Sequence, residues 1–422
     1  MMKYFLLIVT IIVLLITMPL AVHAEQEISV LGSTTELHFP TALVFTVKAE
    51  SSSDITRIRL SYQVEKMNFA RVISEAWPEF IPSNQVEARW TWDMRNASLP
   101  PSAIIHYWWT LENKNGSKFT TPMNTVRFSD SRYNWKSLSS GKVTLFYYES
   151  NQSSADELMK ATQQALERLA TDTGVRLDKP IELYIYANSK DLQGSMVFPR
   201  DWTGGTAFTQ YNIIAIGISS QNLDWGRKAL AHELGHIVTH QLTFSPYGAN
   251  LPTWLDEGLA MHAEGELDPN LEVYLKRAAT QQSLISIRSL SSPFSAKSED
   301  AYLSYAESQS IIEFLLQNYS KDKMADLLTF LKEGMSTDEA LIKLYNFDQD
   351  GLDQLWRVSL STTLPKQTIE QPNPITTTQH GFYPVAIILL AALATLGVSA
   401  LALGLEEWSY RRYKRIRSNL NK

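Results

Sequence analysis

The sequence predicts an α+β fold, in which an N-terminal β-sandwich is followed by a domain of mixed sheet and helices. Residues 25–135 form short runs rich in β-branched and aromatic side chains, separated by turn-forming residues. Residues 140–360 begin with strand-like runs and continue with mostly helical ones. Apolar stretches at both ends of the chain add a third prediction, that the folded part lies between two membrane-directed segments.

The N-terminal strand pattern is typical of an immunoglobulin- or fibronectin-like sandwich. The stretch NKNGS contains an Asn-Gly pair, which predicts a tight hairpin. The segment shows no cluster of catalytic residue types. Because tryptophan is a large core-filling side chain, core packing is favoured over a sugar-binding platform. The tryptophans concerned are Trp90, Trp92, Trp108 and Trp109.

The first 24 residues indicate export. They contain one lysine, a long apolar run, and small residues at Val22 and Ala24. This pattern predicts a signal peptide, residues 1–24, cleaved after Ala24. The apolar run is long for a signal peptide, so an uncleaved anchor is the alternative.

The C-terminal segments predict a membrane anchor. Residues 383–405 are apolar and uncharged, and they are long enough to cross a bilayer as a helix. A stretch rich in Pro, Thr and Gln, residues 361–380, precedes them and is typical of a flexible linker. The basic tail, residues 406–422, is expected in the cytoplasm. We therefore predict a single-pass protein of the cell membrane, with its folded part extracellular and the lipid bilayer as a partner.

Composition argues against several kinds of function. The chain has no cysteine, which excludes thiol nucleophiles, thiolate metal ligands and disulfides. Its net charge is −6 and its interior has no long basic run, which argues against nucleic acid as a partner.

The motif that points to chemistry is the pentad His232-Glu233-Leu234-Gly235-His236. Apolar residues at helical offsets predict a helix here, and on a helix the two histidines lie one turn apart on one face. Both imidazoles can then reach one metal ion, while Glu233 can take a proton from an attacking water. Gly235 costs about 1 kcal/mol relative to alanine in a helix. We attribute it to close packing against a neighbouring element.

The third histidine of this stretch, His240, is not expected to be a ligand. On a continuous helix it lies about 12 Å from His232 along the axis. A zinc–nitrogen bond is only about 2.0–2.1 Å long, so one ion cannot bind both. We expect His240 to interact with the C-terminal end of the helix instead.

A further ligand must come from another element. The stretch LPTWLDEGLAMHAEG, residues 251–265, predicts a second helix, and its Glu257 lies 21 positions after His236. A carboxylate completes two histidines in the His₂Glu type of catalytic zinc site. Glu257 is favoured on reach, with Glu264 and His262 as alternatives.

These residues resemble the gluzincin zinc metallopeptidases, in particular bacterial proteins of the peptidase MA-like group. The resemblance covers about residues 140–345 and is carried by the DWTGGTAF loop, the pentad and the LPTWLDEGLAMHAEG helix, in that order. It implies zinc (Zn²⁺) as cofactor, with His232, His236 and Glu257 as ligands and Glu233 as general base. It also implies that Gly205–Phe208 is an edge strand along which an extended peptide could lie.

The resemblance implies two supporting roles. Gluzincins often use a tyrosine or histidine of a later helix to stabilise the oxyanion. The stretch AYLSYAES offers Tyr302 and Tyr305, of which we select Tyr305, with a packing role as the alternative. Acidic residues that orient the ligand histidines are also expected, and Asp256 is a candidate.

The sequence thus predicts a membrane-anchored extracellular zinc metallohydrolase that cleaves a peptide or protein substrate. Two alternatives stay open. A binding or adhesion protein could use the β-sandwich and retain the peptidase-like domain as a scaffold, although such a scaffold has no need for Glu233. An enzyme with the same site could also hydrolyse a non-peptide amide or ester, because substrate choice depends on pocket shape.

Overall fold

The computed structural model describes residues 27–96, 99–149, 152–199, 204–246, 251–295 and 297–363. The predicted signal peptide, apolar stretch and basic tail lie outside these residues, as does the predicted linker beyond residue 363. Within the described ranges, no helix combines the length and apolar character needed to cross a membrane.

The N-terminal part of the described chain is a seven-stranded antiparallel sheet. Its strands are β1 (Ile28–His38), β2 (Ala42–Val64), β3 (Ser74–Ala76), β4 (Ser83–Asp93), β5 (Ile104–Asn113), β6 (Lys118–Thr120) and β7 (Asn124–Arg127). The first half of β2 pairs with β1 and β4, and the second half pairs with β3 and β5. The short strands β6 and β7 both pair with β5.

The prediction of strands in this part is confirmed, while their arrangement as a sandwich stays a prediction. Hydrogen bonds join the seven strands into one sheet. The stretch ESSSD, one of the turn-forming separators in the sequence, continues β2 with an irregular register between Glu50 and Ile55. Side chains from both halves of β2 enter one core, as Phe45 and Leu60 show. Trp109 is fully buried in that core.

The second part of the structure contains a five-stranded sheet. Its strands are β8 (Lys136–Ser140), β9 (Val143–Tyr147), β10 (Ile181–Tyr186), β11 (Gly205–Phe208) and β12 (Ile213–Gly217). They lie in the order β11-β12-β10-β9-β8. The three central strands are parallel, and each outer strand is antiparallel to its neighbour. The Gly205–Phe208 segment is therefore an edge strand, as expected.

Helices follow and interleave with this sheet, so the α+β order is confirmed. They are α1 (Gln152–Thr173), α2 (Ser189–Gln193), α3 (Leu223–Thr243), α4 (Thr253–Glu264), α5 (Pro269–Thr280), α6 (Ile287–Leu290), α7 (Ser298–Asn318), α8 (Asp322–Lys332), α9 (Thr337–Tyr345) and α10 (Gln349–Thr363). Helix α3 packs against α1 and β11, while α4 lies between α3 and α7. One apolar core, which includes Leu234, Leu259 and Ile312, holds these helices on the sheet.

Candidate metal centre

Two packed helices carry the predicted ligands. Helix α3 holds the pentad, and α4 holds Glu257, with most of α3 and nearly all of α4 buried. A side chain at Gly235 would collide with the backbone of α4 at Ala260. Glycine therefore lets the two helices approach, which is the packing role that the sequence predicts for it.

The structure brings His232, His236 and Glu257 together. The Nε2 atoms of both histidines lie 3.5 Å from the same atom, Glu257 Oε2. The three atoms are buried and make no hydrogen bond within the described part of the chain. Because buried polar atoms nearly always have partners, their convergence indicates a cation site. Two imidazoles and one carboxylate are also the ligand set of catalytic zinc sites.

A carboxylate faces the other ring nitrogen of each histidine. His232 Nδ1 lies 2.8 Å from Glu264 Oε1, and His236 Nδ1 lies 3.1 Å from Asp256 Oδ1. Such contacts fix Nδ1 as the donor and leave the Nε2 lone pair available to a metal. Glu264, an alternative ligand in the sequence, therefore lies behind His232 rather than in the ligand group.

The spacing that made Glu264 an alternative ligand in the sequence also explains its place in the structure. It follows Glu257 by seven residues, and seven residues make two turns of a helix. Both carboxylates consequently lie on the face of α4 that meets α3. This spacing predicts that Glu264 lies near the ligand group, but it does not predict which histidine nitrogen Glu264 contacts.

The two other candidate histidines lie outside the group formed by His232, His236 and Glu257. His240 Nε2 lies 3.1 Å from Asp256 Oδ2. These two residues and His236 form a second set of ligand-type atoms within 4.8 Å of one another, but the hydrogen bonds of Asp256 account for it. His262 Nδ1 contacts Glu313 at 2.7 Å and lines a separate cavity of about 580 Å³.

The charges of the site favour a cation. Burial disfavours protonated His232, but the neighbouring carboxylates of Glu257 and Glu264 outweigh this and raise its pKa to about 9. Burial likewise disfavours protonated His236, but the charges of Asp256 and Glu257 raise its pKa well above the usual 6.5. The centre thus concentrates negative charge around the two imidazoles, which a bound cation would neutralise.

Glu233 lies beside the ligand group with 2% of its surface exposed. Burial raises its pKa above the ordinary 4.5, and the neighbouring histidines and the backbone of Ala207 oppose that rise. Its Oε2 atom is buried and makes no hydrogen bond to the described residues. A carboxylate with a raised pKa accepts a proton more readily, as a general base must. Ala207 belongs to β11, so the edge strand passes next to this carboxylate.

Helix α7 places Tyr305 next to the ligand group formed by His232, His236 and Glu257. Its ring centroid lies 6.2 Å from that of His232, and the residue is fully buried. Burial, with the negative charges of Glu257 and Glu233, raises the pKa of Tyr305 well above 10. The hydroxyl therefore stays protonated at neutral pH and can donate. Tyr302 instead faces Tyr274, with ring centroids 5.5 Å apart, so only Tyr305 of this pair adjoins the ligand group.

One protein family model matches the second part of the chain. The family model described as Peptidase MA superfamily matches residues 161–362. This range contains the pentad, Glu257 and Tyr305. No curated protein matches the sequence.

Among solved structures, the chain is similar to the Legionella pneumophila aminopeptidase A in complex with aspartic acid. Identity is 10%, with 79% of this chain and 50% of that chain covered and a TM-score of 0.33. An aminopeptidase N family protein from Idiomarina loihiensis is 9% identical, with 78% and 69% covered and a TM-score of 0.29. At such scores these likenesses carry no argument about activity.

Proposed function

We propose, from the premise that residues 161–362 belong to the Peptidase MA superfamily, that this protein is a zinc-dependent metallopeptidase. The observation that carries the proposal is the convergence of three buried ligand atoms without hydrogen bonds in the described chain, beside a buried glutamate. A binding scaffold has no use for such an arrangement, because unpaired buried polar atoms cost free energy.

The residues present fit a zinc ion. His232, His236 and Glu257 would hold it, with Glu264 and Asp256 orienting the two rings. When bound, zinc supplies Lewis-acid chemistry, which acidifies a water molecule and polarises the scissile carbonyl.

Glu233 and Tyr305 would act on the reacting atoms. Glu233 takes a proton from the attacking water and returns it to the leaving amine, a role that its burial and raised pKa support. The protonated hydroxyl of Tyr305 donates a hydrogen bond to the carbonyl oxygen as negative charge develops there. An extended substrate would lie along the outer edge of β11, next to Glu233.

The location of the enzyme is part of the proposal. The export signal at residues 1–24 and the apolar stretch at 383–405 would place the peptidase domain outside a cell membrane. Protease treatment of intact cells tests this: the domain should be degraded while the basic tail is protected. Protection of both would contradict it.

A peptide-library digestion tests the activity. The purified full chain is incubated with a mixed-sequence library, and new termini are identified by mass spectrometry with and without a chelator. We expect cleavage that the chelator abolishes and added zinc restores, and no cleavage by a parallel His236→Ala preparation. Cleavage that survives chelation would contradict the metal-dependent mechanism. Absence of cleavage from every library would favour the binding protein or the non-peptide hydrolase.

A further inference from the structure

A chain of hydrogen bonds runs from the protein surface to the candidate metal centre. It begins at His240, whose Nε2 lies 3.1 Å from Asp256 Oδ2. The other oxygen of this carboxylate, Asp256 Oδ1, lies 3.1 Å from His236 Nδ1. His236 then presents Nε2 to Glu257 at 3.5 Å.

Burial increases along this series of hydrogen bonds, from His240 to His236. The side chain of His240 is 38% exposed, that of Asp256 is 11% exposed and that of His236 is 5% exposed. Asp256 thus lies almost entirely away from water, so each of its oxygens needs a hydrogen-bond donor from the protein. His236 donates a hydrogen bond to one oxygen, and His240 donates one to the other.

Two hydrogen-bond donors restrict the rotation of the Asp256 carboxylate more than one donor does. The last torsion of an aspartate side chain has a broad energy profile, so a carboxylate bonded at one oxygen only can still rotate. A donor on the second oxygen defines the plane of the group. With that plane set, Asp256 Oδ1 fixes the direction of the His236 ring.

We propose that His240 is a positioning residue that holds Asp256 Oδ2 and thereby orients the metal ligand His236. The inference rests on the proposed function, since it assumes that His236 binds a metal. It gives His240 a role other than that of a ligand, in agreement with its place two helical turns beyond His232.

Zinc affinity tests the inference without relying on catalysis. The full chain and its variants are stripped of metal and titrated with zinc against a chromophoric chelator. The His240→Ala variant removes the donor. The His240→Gln variant keeps one, because a glutamine amide places an N–H near the position of Nε2. His38→Ala is the matched control, since His38 is a partly exposed histidine that contacts Glu36 at 2.9 Å on remote strand β1.

The expected result is a loss of about tenfold in zinc affinity for His240→Ala, the lower end of the effect of removing a group that orients a ligand. His240→Gln should recover most of this loss, and His38→Ala should match the parent. The thermal midpoint of zinc-free His240→Ala should fall, because the variant leaves a buried oxygen of Asp256 without a donor, so all zinc titrations are made at a temperature at which every variant is folded.

Three results would overturn the inference. His240→Ala could bind zinc as tightly as the parent, or His240→Gln could lose as much affinity as His240→Ala. The parent could also bind two zinc ions where His240→Ala binds one, which would make His240 a ligand. In each case the parent still binds zinc and the proposed function stands, whereas a parent without zinc affinity would overturn both.

Discussion

Gly235 of α3 and Ala260 of α4 lie in direct backbone contact, such that a Cβ atom on Gly235 would stand 2.6 Å from the Cα of Ala260. Real Cβ atoms essentially never come this close to another heavy atom. Because α3 supplies both histidines and α4 supplies Glu257, this contact sets the separation of the three predicted ligands. Gly235, which has no functional side chain, therefore sets how closely the three predicted ligands approach one another.

The Gly235→Ala substitution should separate the two helices. We expect it to destabilise the fold by about 1–3 kcal/mol, the usual effect of overpacking a core, and to weaken zinc binding as well. Denaturant unfolding and zinc titration measure the two effects. The control is Gly32→Ala, since a Cβ on Gly32 meets no atom within 4 Å. Unchanged stability and zinc affinity in Gly235→Ala would show that the helices do not depend on this contact.

Tyr305→Phe should lower kcat and leave KM nearly unchanged. The variant removes only the hydroxyl, which we assign to the developing negative charge, and loss of one such donor costs about 10²–10³-fold. Steady-state kinetics on a peptide from the library separate the two constants. Tyr302→Phe is the matched control, because Tyr302 is three residues away on α7 and packs against Tyr274. Equal effects of the two substitutions would assign Tyr305 a packing role.

Glu307 should make the stability of the fold depend on pH. It is fully buried on α7, with Oε1 accepting from the Ile285 amide, and burial raises its pKa to about 8. In the unfolded chain, a glutamate releases its proton near pH 4.3. Between about pH 4.3 and 8 the unfolded state therefore binds fewer protons than the native state, and stability falls as pH rises.

Glu307→Gln should remove the contribution of Glu307 to this dependence, because an amide stays neutral and can still accept from Ile285. One pKa unit corresponds to about 1.4 kcal/mol, so we expect the variant to gain a few kcal/mol over the parent at pH 8 and little at pH 5. Thermal unfolding of the zinc-free proteins across this range measures the gain. Glu299→Gln, an exposed change on the same helix, is the control. A variant that gains no more stability over the parent at pH 8 than at pH 5 would contradict the raised pKa of Glu307.

The sequence was most informative where the information is local. The i, i+4 spacing of His232 and His236 needs only a helix, and Glu257 needs only one turn and a second helix within reach. The contacts of Glu264 and Asp256 with the histidine Nδ1 atoms depend on the angle at which α3 and α4 cross, and sequence spacing alone does not determine that angle. The partner of His240 could not be predicted for that reason, and neither could the choice of Glu264 over other acids for His232.

The N-terminal sheet shows the same limit. Each run of β-branched and aromatic residues correctly predicts strand, because that preference is local. The serine-rich stretch ESSSD predicts a turn for the same reason, yet pairing on both sides keeps it inside β2. The continuity of β2 through this stretch depends on that long-range pairing, which local sequence does not contain.

The measurement that tests the account most directly compares peptide hydrolysis and zinc content in the parent and in Glu233→Gln. The account predicts one zinc per chain in both proteins, with hydrolysis by the variant reduced by about 10²–10⁴-fold, the contribution of a general base. Glu333→Gln, an exposed change at the end of α8, should match the parent in both respects. A zinc-bound Glu233→Gln protein that cleaves peptides at the rate of the parent would contradict the proposed mechanism.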